Sequence, residues 1–155
     1  MRITLQGRLD SQRTGALVRQ TRAALKEKAD LIVDAIIGYG LTGDPRGEAA
    51  DWIRQANGAG RPILALDAPS GLDTTSGRPG EPCIRATTTL TLALPKTGLV
   101  TPAAQGVVGE LFLADISVPP GLYKRLGLEV GSLFAVDPLF AAGPIVRVGE
   151  NFSSR

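Results

Sequence analysis

The chain has 155 residues, 43% of them hydrophobic and 21% charged, with a net charge of +2, values that suit one soluble domain with its own core. It contains no histidine and one cysteine, Cys83, which excludes a Ser-His-Asp triad, a His-ligated metal, a multi-Cys zinc site and an internal disulfide. The small net charge argues against a nucleic-acid partner, and no stretch approaches the roughly 20 apolar residues of a membrane span, so the expected location is the cytoplasm.

In chain order, "RITLQ" at 2–6 alternates around Ile3 and Leu5 and predicts a strand. Residues 11–28 place Ala16, Leu17, Thr21, Ala24 and Leu25 at helical spacing. The Arg13, Arg19, Arg22, Lys26 and Lys28 of the same segment fit a solvated helix face. "LIVDAIIG" from Leu31 is a continuous apolar run, the pattern of a buried strand, with Asp34 inside it. The next helix is expected to start near Asp44, with Asp44 as its cap and Pro45 in its first turn. Its apolar face would be Ala49, Trp52, Ile53 and Ala56, and Gly58 and Gly60 would end it. "PILALD", ending at Asp67, predicts a second buried strand and completes a strand–helix–strand unit with parallel strands.

"APSGLDTTSGRPGEPCIRA" is rich in Gly, Pro, Ser and Thr and predicts a long loop, a type that tends to be functional or disordered. Cys83 lies in it and fits a small loop residue; as a nucleophile it would need a base other than histidine. "TTTLTLAL" at 87–94 and "ELFLADI" at 110–116 predict strands, with a loop or a short helical turn between them. "PPGLYKRLGL" predicts a short helix begun by Pro119 or Pro120, and the polar end "GENFSSR" predicts fraying. Alternation of strand and helix implies an α/β domain over 1–147, with a polar tail at 148–155 and a mostly parallel sheet. Ligands bind such sheets outside the carboxyl ends of the strands, so the loops after Ile37 and Leu66 are the first candidates.

The loop after Ile37, "GYGLTG", has the G-x-G-x-x-G spacing of a dinucleotide fingerprint, with an acid, Asp67, further along. In that fingerprint the third glycine lies inside the helix. Here Pro45 follows Gly43 by two residues and moves the helix start beyond it. A carboxylate at Asp44 would also oppose a pyrophosphate at the helix end. The loop therefore argues against redox use of NAD, although an oxidoreductase fragment is one reading and a plain glycine-rich turn another.

Four stretches in order, "VDAIIGYGLTGDPRG", "LALDAPSGLD", "LPKTGL" and "GELFLADISVP", resemble the NAD(P)H-hydrate epimerases, the YjeF N-terminal domain family. The resemblance covers residues 1–125. It implies a Rossmann-like three-layer α/β/α sandwich and an isomerase that interconverts the epimers of hydrated NADH and NADPH, linked to a separate dehydratase. It further implies that Asp34 and Ser70 ligate potassium and that Gly38, Tyr39, Gly40, Leu41, Thr42, Gly43 and Asp44 wrap the hydrated dinucleotide. Asp67 would contact the substrate and act as the catalytic group. Lys96, in "LPKTGL", matches the pattern without an assigned role.

The residue types suit that chemistry. A carboxylate and a hydroxyl suit a hard cation, and inversion at a carbinolamine-like carbon needs a group that takes and returns a proton. Other readings exist for each residue: Asp67 as a turn cap, Asp34 paired with a backbone group or a basic side chain, Ser70 as a turn serine, and Arg46 as an exposed side chain of the first helical turn. The asparagine- and glycine-rich N-N-G-G-D-G-type loop of the family has no counterpart here, and the chain starts at the family's second strand. That implies a late start, a partner carrying the missing part, or a shortened member that binds without catalysis. A homodimer could cover the exposed apolar surface.

Overall fold

The computed structural model describes residues 3–6, 30–128 and 145–148. The predicted helix at 11–28 lies outside the described residues. Among the described residues the backbone forms one six-stranded sheet, with strands β1 (Ile3–Gln6), β2 (Leu31–Asp34), β3 (Ile63–Leu66), β4 (Thr88–Leu92), β5 (Glu110–Ala114) and β6 (Ile145–Arg147) side by side in chain order. The first five run parallel, and β6 pairs antiparallel with β5 through Leu113 and Val146. The alternating elements thus build the expected mostly parallel α/β sheet. No strand was expected over β6, a three-residue stretch too short to show a period.

Parallel pairing puts register partners on the same face. Ile32 pairs with Ile63, and Asp34 with Ala65. Helix α1 (Gly47–Gly58) covers that face through Ile53 and Ala56, which pack with Ile32, Ile63 and Ile84. Ile53 is fully buried, a contribution of about 2–3 kcal/mol from its side chain alone. The buried row of α1 is Ala50, Ile53 and Ala56, whereas Trp52, expected among them, is half-buried.

The helix starts later than expected. Arg46 is its extended N-cap, without a side-chain cap, and Pro45 is buried ahead of it. Asp44 does not cap the helix; its Oδ1 accepts a hydrogen bond from the backbone N–H of Glu81 at 2.9 Å. The carboxylate is committed to the long loop, and the chain enters the helix through Gly47 at φ 57°, a left-handed geometry suited to glycine. The expected exposed placement of Arg46 holds.

That long loop is packed into the body of the protein. Asp73 accepts from the N–H groups of Thr75 and Ser76, and its N–H donates to the Arg78 carbonyl. Leu72, Cys83 and Ile84 are buried. A short 3₁₀ turn at Thr97–Val100 locks onto the loop through the Gly98 N–H, 2.8 Å from the Thr74 carbonyl. A Cβ on Gly98 would stand 2.6 Å from that same carbonyl, so only glycine fits. A second 3₁₀ turn (Pro102–Ala104) and a single helical turn, α2 (Gln105–Val108), lead into β5. The predicted short helix near Pro120 is α3 (Pro120–Arg125).

Candidate functional site at the carboxyl ends of β2, β3 and β4

Strand β2 ends at Asp34, three residues before the end of the apolar run. The Asp34 side chain causes the stop: its Oδ1 takes the N–H of Ile36 at 3.3 Å, a local bond that competes with the sheet ladder. The next free N–H, that of Ile37, donates to Ser70 Oγ at 2.8 Å. Ser70 answers from the loop after β3. Its N–H donates to Asp34 Oδ2 at 2.8 Å and its hydroxyl to Asp34 Oδ1 at 2.6 Å, with the Ile37 carbonyl 3.1 Å from the same Oγ.

This cluster is buried. Asp34 is 2% exposed and Ser70 fully buried. Burial pushes the Asp34 carboxyl above its usual range, against the hydroxyl and N–H of Ser70 and the N–H of Ile36, which pull it down. Among the described residues no Lys or Arg pairs with Asp34. A buried carboxylate without a cation is costly. The donor set around it is carboxylate, hydroxyl and carbonyl oxygen, which suits a hard cation and not a thiophilic one. Among the described residues no three His, Cys, Asp or Glu side chains converge on a metal position.

Asp67 closes β3 in a different setting. Its N–H still donates to the Leu90 carbonyl at 2.9 Å, but its φ is 71°, the left-handed region that residues other than glycine seldom occupy. Such a backbone persists where its surroundings hold it, and it re-aims the side chain off the strand. Oδ1 of Asp67 forms an ion pair with Lys96, whose ammonium also donates to Thr91 Oγ1 at 3.1 Å and to the Leu92 carbonyl at 3.3 Å. The other oxygen, Oδ2, has no hydrogen-bond partner among the described residues, and a Cβ built on Gly38 would lie 3.9 Å from it. The two side chains keep 23% (Asp67) and 19% (Lys96) of their surface open to solvent.

The structure therefore brings Asp34, Ser70, Asp67 and the start of the 38–44 loop to one edge of the sheet. Gly38, Tyr39 and Gly40 are exposed, Tyr39 at 74%, as are Thr42 and Gly43, with Leu41 half-buried. Asp44 is held away by the Glu81 N–H. Two members were missed as functional residues. Thr91 sits in a run of threonines with ordinary strand alternation, so nothing in the sequence marked it. Lys96 had a signal, its place in "LPKTGL", but its partner lies 29 positions away. Cys83 is buried and its thiol is pushed up to about 12, chiefly by burial and then by the nearby Asp34 and Glu81, so it is no nucleophile.

Residues 5–98 match the model of the family described as "YjeF-related protein N-terminus". The chain belongs to that family. It is 48% identical over 103 residues to an NAD(P)H-hydrate epimerase of Dehalogenimonas lykanthroporepellens, a match covering 66% of this chain and 40% of that protein. Against an NAD(P)H-hydrate epimerase of Truepera radiovictrix it is 40% identical over 131 residues, 84% of this chain and 54% of that protein. It is also 48% identical over 94 residues to a bifunctional NAD(P)H-hydrate repair enzyme of Moorella thermoacetica, 61% of this chain and 18% of that protein. The chain thus spans about half or less of the length of these relatives. The crystal structure of the yeast protein ynu0 superposes with a TM-score of 0.60 at 18% identity, over 94% of this chain and 64% of that one. That likeness shows the shared Rossmann-like fold.

Proposed function

We propose that this YjeF-related domain epimerises hydrated NADH and NADPH. The observation that carries the reading is Asp67: a partly exposed carboxylate at the carboxyl end of a central strand, one oxygen tied to Lys96 and the other, beside Gly38, without a hydrogen-bond partner among the described residues. The names of the relatives at 40–48% identity supply the substrate class.

Inversion at the hydrated ring carbon requires one bond at that carbon to break and to re-form on the opposite face. In either direction a proton is given as that bond breaks and taken back as it re-forms, so nothing is gained or lost overall. Oδ2 of Asp67 is the atom free to do both, and a single positioned acid–base group of this kind contributes roughly 10²–10⁴-fold to rate. The exposed loop of Gly38, Tyr39, Gly40, Leu41, Thr42 and Gly43 lies beside it as the cradle for the nucleotide, with the Tyr39 ring open for stacking. Asp44 serves that loop from behind by fixing its end to Glu81.

Asp34 and Ser70 would hold the potassium ion, with the Ile37 carbonyl as a third oxygen at the same place. When bound, the ion would supply positive charge that offsets the buried carboxylate. This chain's own residues hold that carboxylate ready with three donated hydrogen bonds. A dehydratase acting on the S epimer is the functional partner, in line with the bifunctional name of the Moorella relative.

The test is to give the chain purified R epimer of hydrated NADH together with an S-specific dehydratase and to follow the return of reduced-nicotinamide absorbance. Conversion of the R epimer that disappears in Asp67→Ala supports the reading. Binding of the nucleotide without turnover would replace it with a non-catalytic binding module.

A further inference from the structure

Lys96 is a charged side chain in direct contact with Asp67 that the proposed reaction does not yet use. An ammonium has three hydrogens to donate. Three acceptors surround Lys96 Nζ: Asp67 Oδ1, Thr91 Oγ1 at 3.1 Å and the Leu92 carbonyl at 3.3 Å. Every donor is therefore committed to the protein. The lysine has none left for a nucleotide unless it releases one of these.

The carboxylate it grips is divided unequally. Oδ1 receives Lys96, and the Leu92 N–H lies 3.4 Å from the same oxygen, while Oδ2 receives nothing among the described residues. Thr91 is fully buried, which fixes the far side of the tripod in the sheet. The Leu92 carbonyl is at the last residue of β4. The ammonium is thus anchored to two rigid points on one strand and holds the Asp67 side chain of the neighbouring strand by a third.

We propose that Lys96 is a positioning residue: anchored by Thr91 and Leu92, it pins Oδ1 of Asp67 so that Oδ2 alone faces the substrate. The inference rests on the epimerase reading and adds a division of labour between the two oxygens. The left-handed backbone at Asp67 and the lysine tripod together leave the carboxylate one orientation, and fixed geometry is where much of the rate advantage of a bound reaction lies.

The coupled R-epimer assay on the full chain tests this with four variants beside the wild type. Lys96→Met keeps the length and removes the charge; it is expected to lower kcat by about 100-fold, within the range for a misplaced acid–base group, and to leave KM within about threefold. Lys96→Arg keeps the charge without the three-point fit and is expected to recover about a tenth of the wild-type kcat. Thr91→Val removes one anchor and is expected to cost about fivefold in kcat, whereas Thr91→Ser, which keeps the hydroxyl, should recover most of that loss. A purely structural lysine would instead lower the melting temperature of Lys96→Met and raise KM while leaving the kcat of the folded enzyme near the wild-type value. That pattern overturns the proposal, as does a Lys96→Met enzyme with wild-type kcat. An inactive wild-type chain overturns the functional reading and the inference with it; an active wild type with a fully active Lys96→Met enzyme overturns the inference alone.

Discussion

Two aspartates end neighbouring strands of the same sheet, and their surroundings differ in every respect that matters to chemistry. Asp34 is buried, both of its oxygens are hydrogen-bonded, and no cationic side chain among the described residues pairs with it. Asp67 is partly exposed, paired with Lys96, and keeps one oxygen without a partner among the described residues. The first arrangement gathers carboxylate, hydroxyl and carbonyl oxygens in a buried place, which suits holding a cation. The second exposes a single oxygen on a strained backbone, which suits handling a proton. Residue type alone predicts neither setting; the difference comes from what the loop after the next strand contributes, Ser70 in one case and Lys96 in the other.

The contrast can be broken at Asp67 with the largest effect. Asp67→Asn keeps the shape and removes the proton carrier, so epimerisation should fall by roughly 10²–10⁴-fold while the melting temperature stays within a few degrees. Equal activity in Asp67→Asn and wild type would end the distinction between the two carboxylates.

Asp34 should behave in the opposite way. Asparagine offers one acceptor oxygen where Ser70 and Ile36 donate to two, so Asp34→Asn leaves a buried donor facing an NH₂ group and should cost about 1–3 kcal/mol in a denaturant titration. The wild type should also melt higher in potassium chloride than in choline chloride, by about 1.4 kcal/mol of stability at ten times the ion's Kd. Asp34→Asn should lose that difference. A potassium response that survives the substitution would move the cation away from this cluster.

A smaller effect is expected at Gly38. A Cβ there meets Asp67 Oδ2 at an ordinary contact distance of 3.9 Å, so Gly38→Ala should stay within about twofold of wild-type kcat/KM. Gly38→Val crowds the free oxygen and should lose about tenfold. The smallest effect concerns Cys83. The raised thiol pKa keeps it protonated and unreactive, and the sign follows: any stability tied to the protonated thiol is full below the ordinary value of 9.0 and is lost only as pH climbs toward about 12. Alkylation by iodoacetamide at pH 8 should therefore be slow in the folded chain and become fast in denaturant.

Much of the fold was legible because it rests on local pattern. Continuous apolar runs mark β2 and β3, as expected of strands covered on both faces, and the spacing of Ile53 and Ala56 marks the helix between them. Strand ends were less legible. The apolar run after Leu31 continues to Ile37, yet β2 stops at Asp34 because that side chain takes the Ile36 N–H. The helix start was misplaced for a related reason. Asp44 has the chemistry of a cap, but the Glu81 N–H, 37 positions away, claims its carboxylate first.

The candidate site divides the same way. The order of "VDAIIGYGLTGDPRG", "LALDAPSGLD", "LPKTGL" and "GELFLADISVP" along the chain carried the family resemblance, and the absence of histidine and of a second cysteine confined the chemistry to carboxylate, hydroxyl and amine. Those are properties of residue type and spacing, and they survive without coordinates. Only the tertiary structure decided which oxygen of which aspartate is free, that Ser70 closes over Asp34, and that Lys96 reaches Asp67 with support from Thr91. Parallel strands bring together residues that are 25 to 36 positions apart, and at that separation a single sequence carries no record of which hydrogen-bonding groups meet.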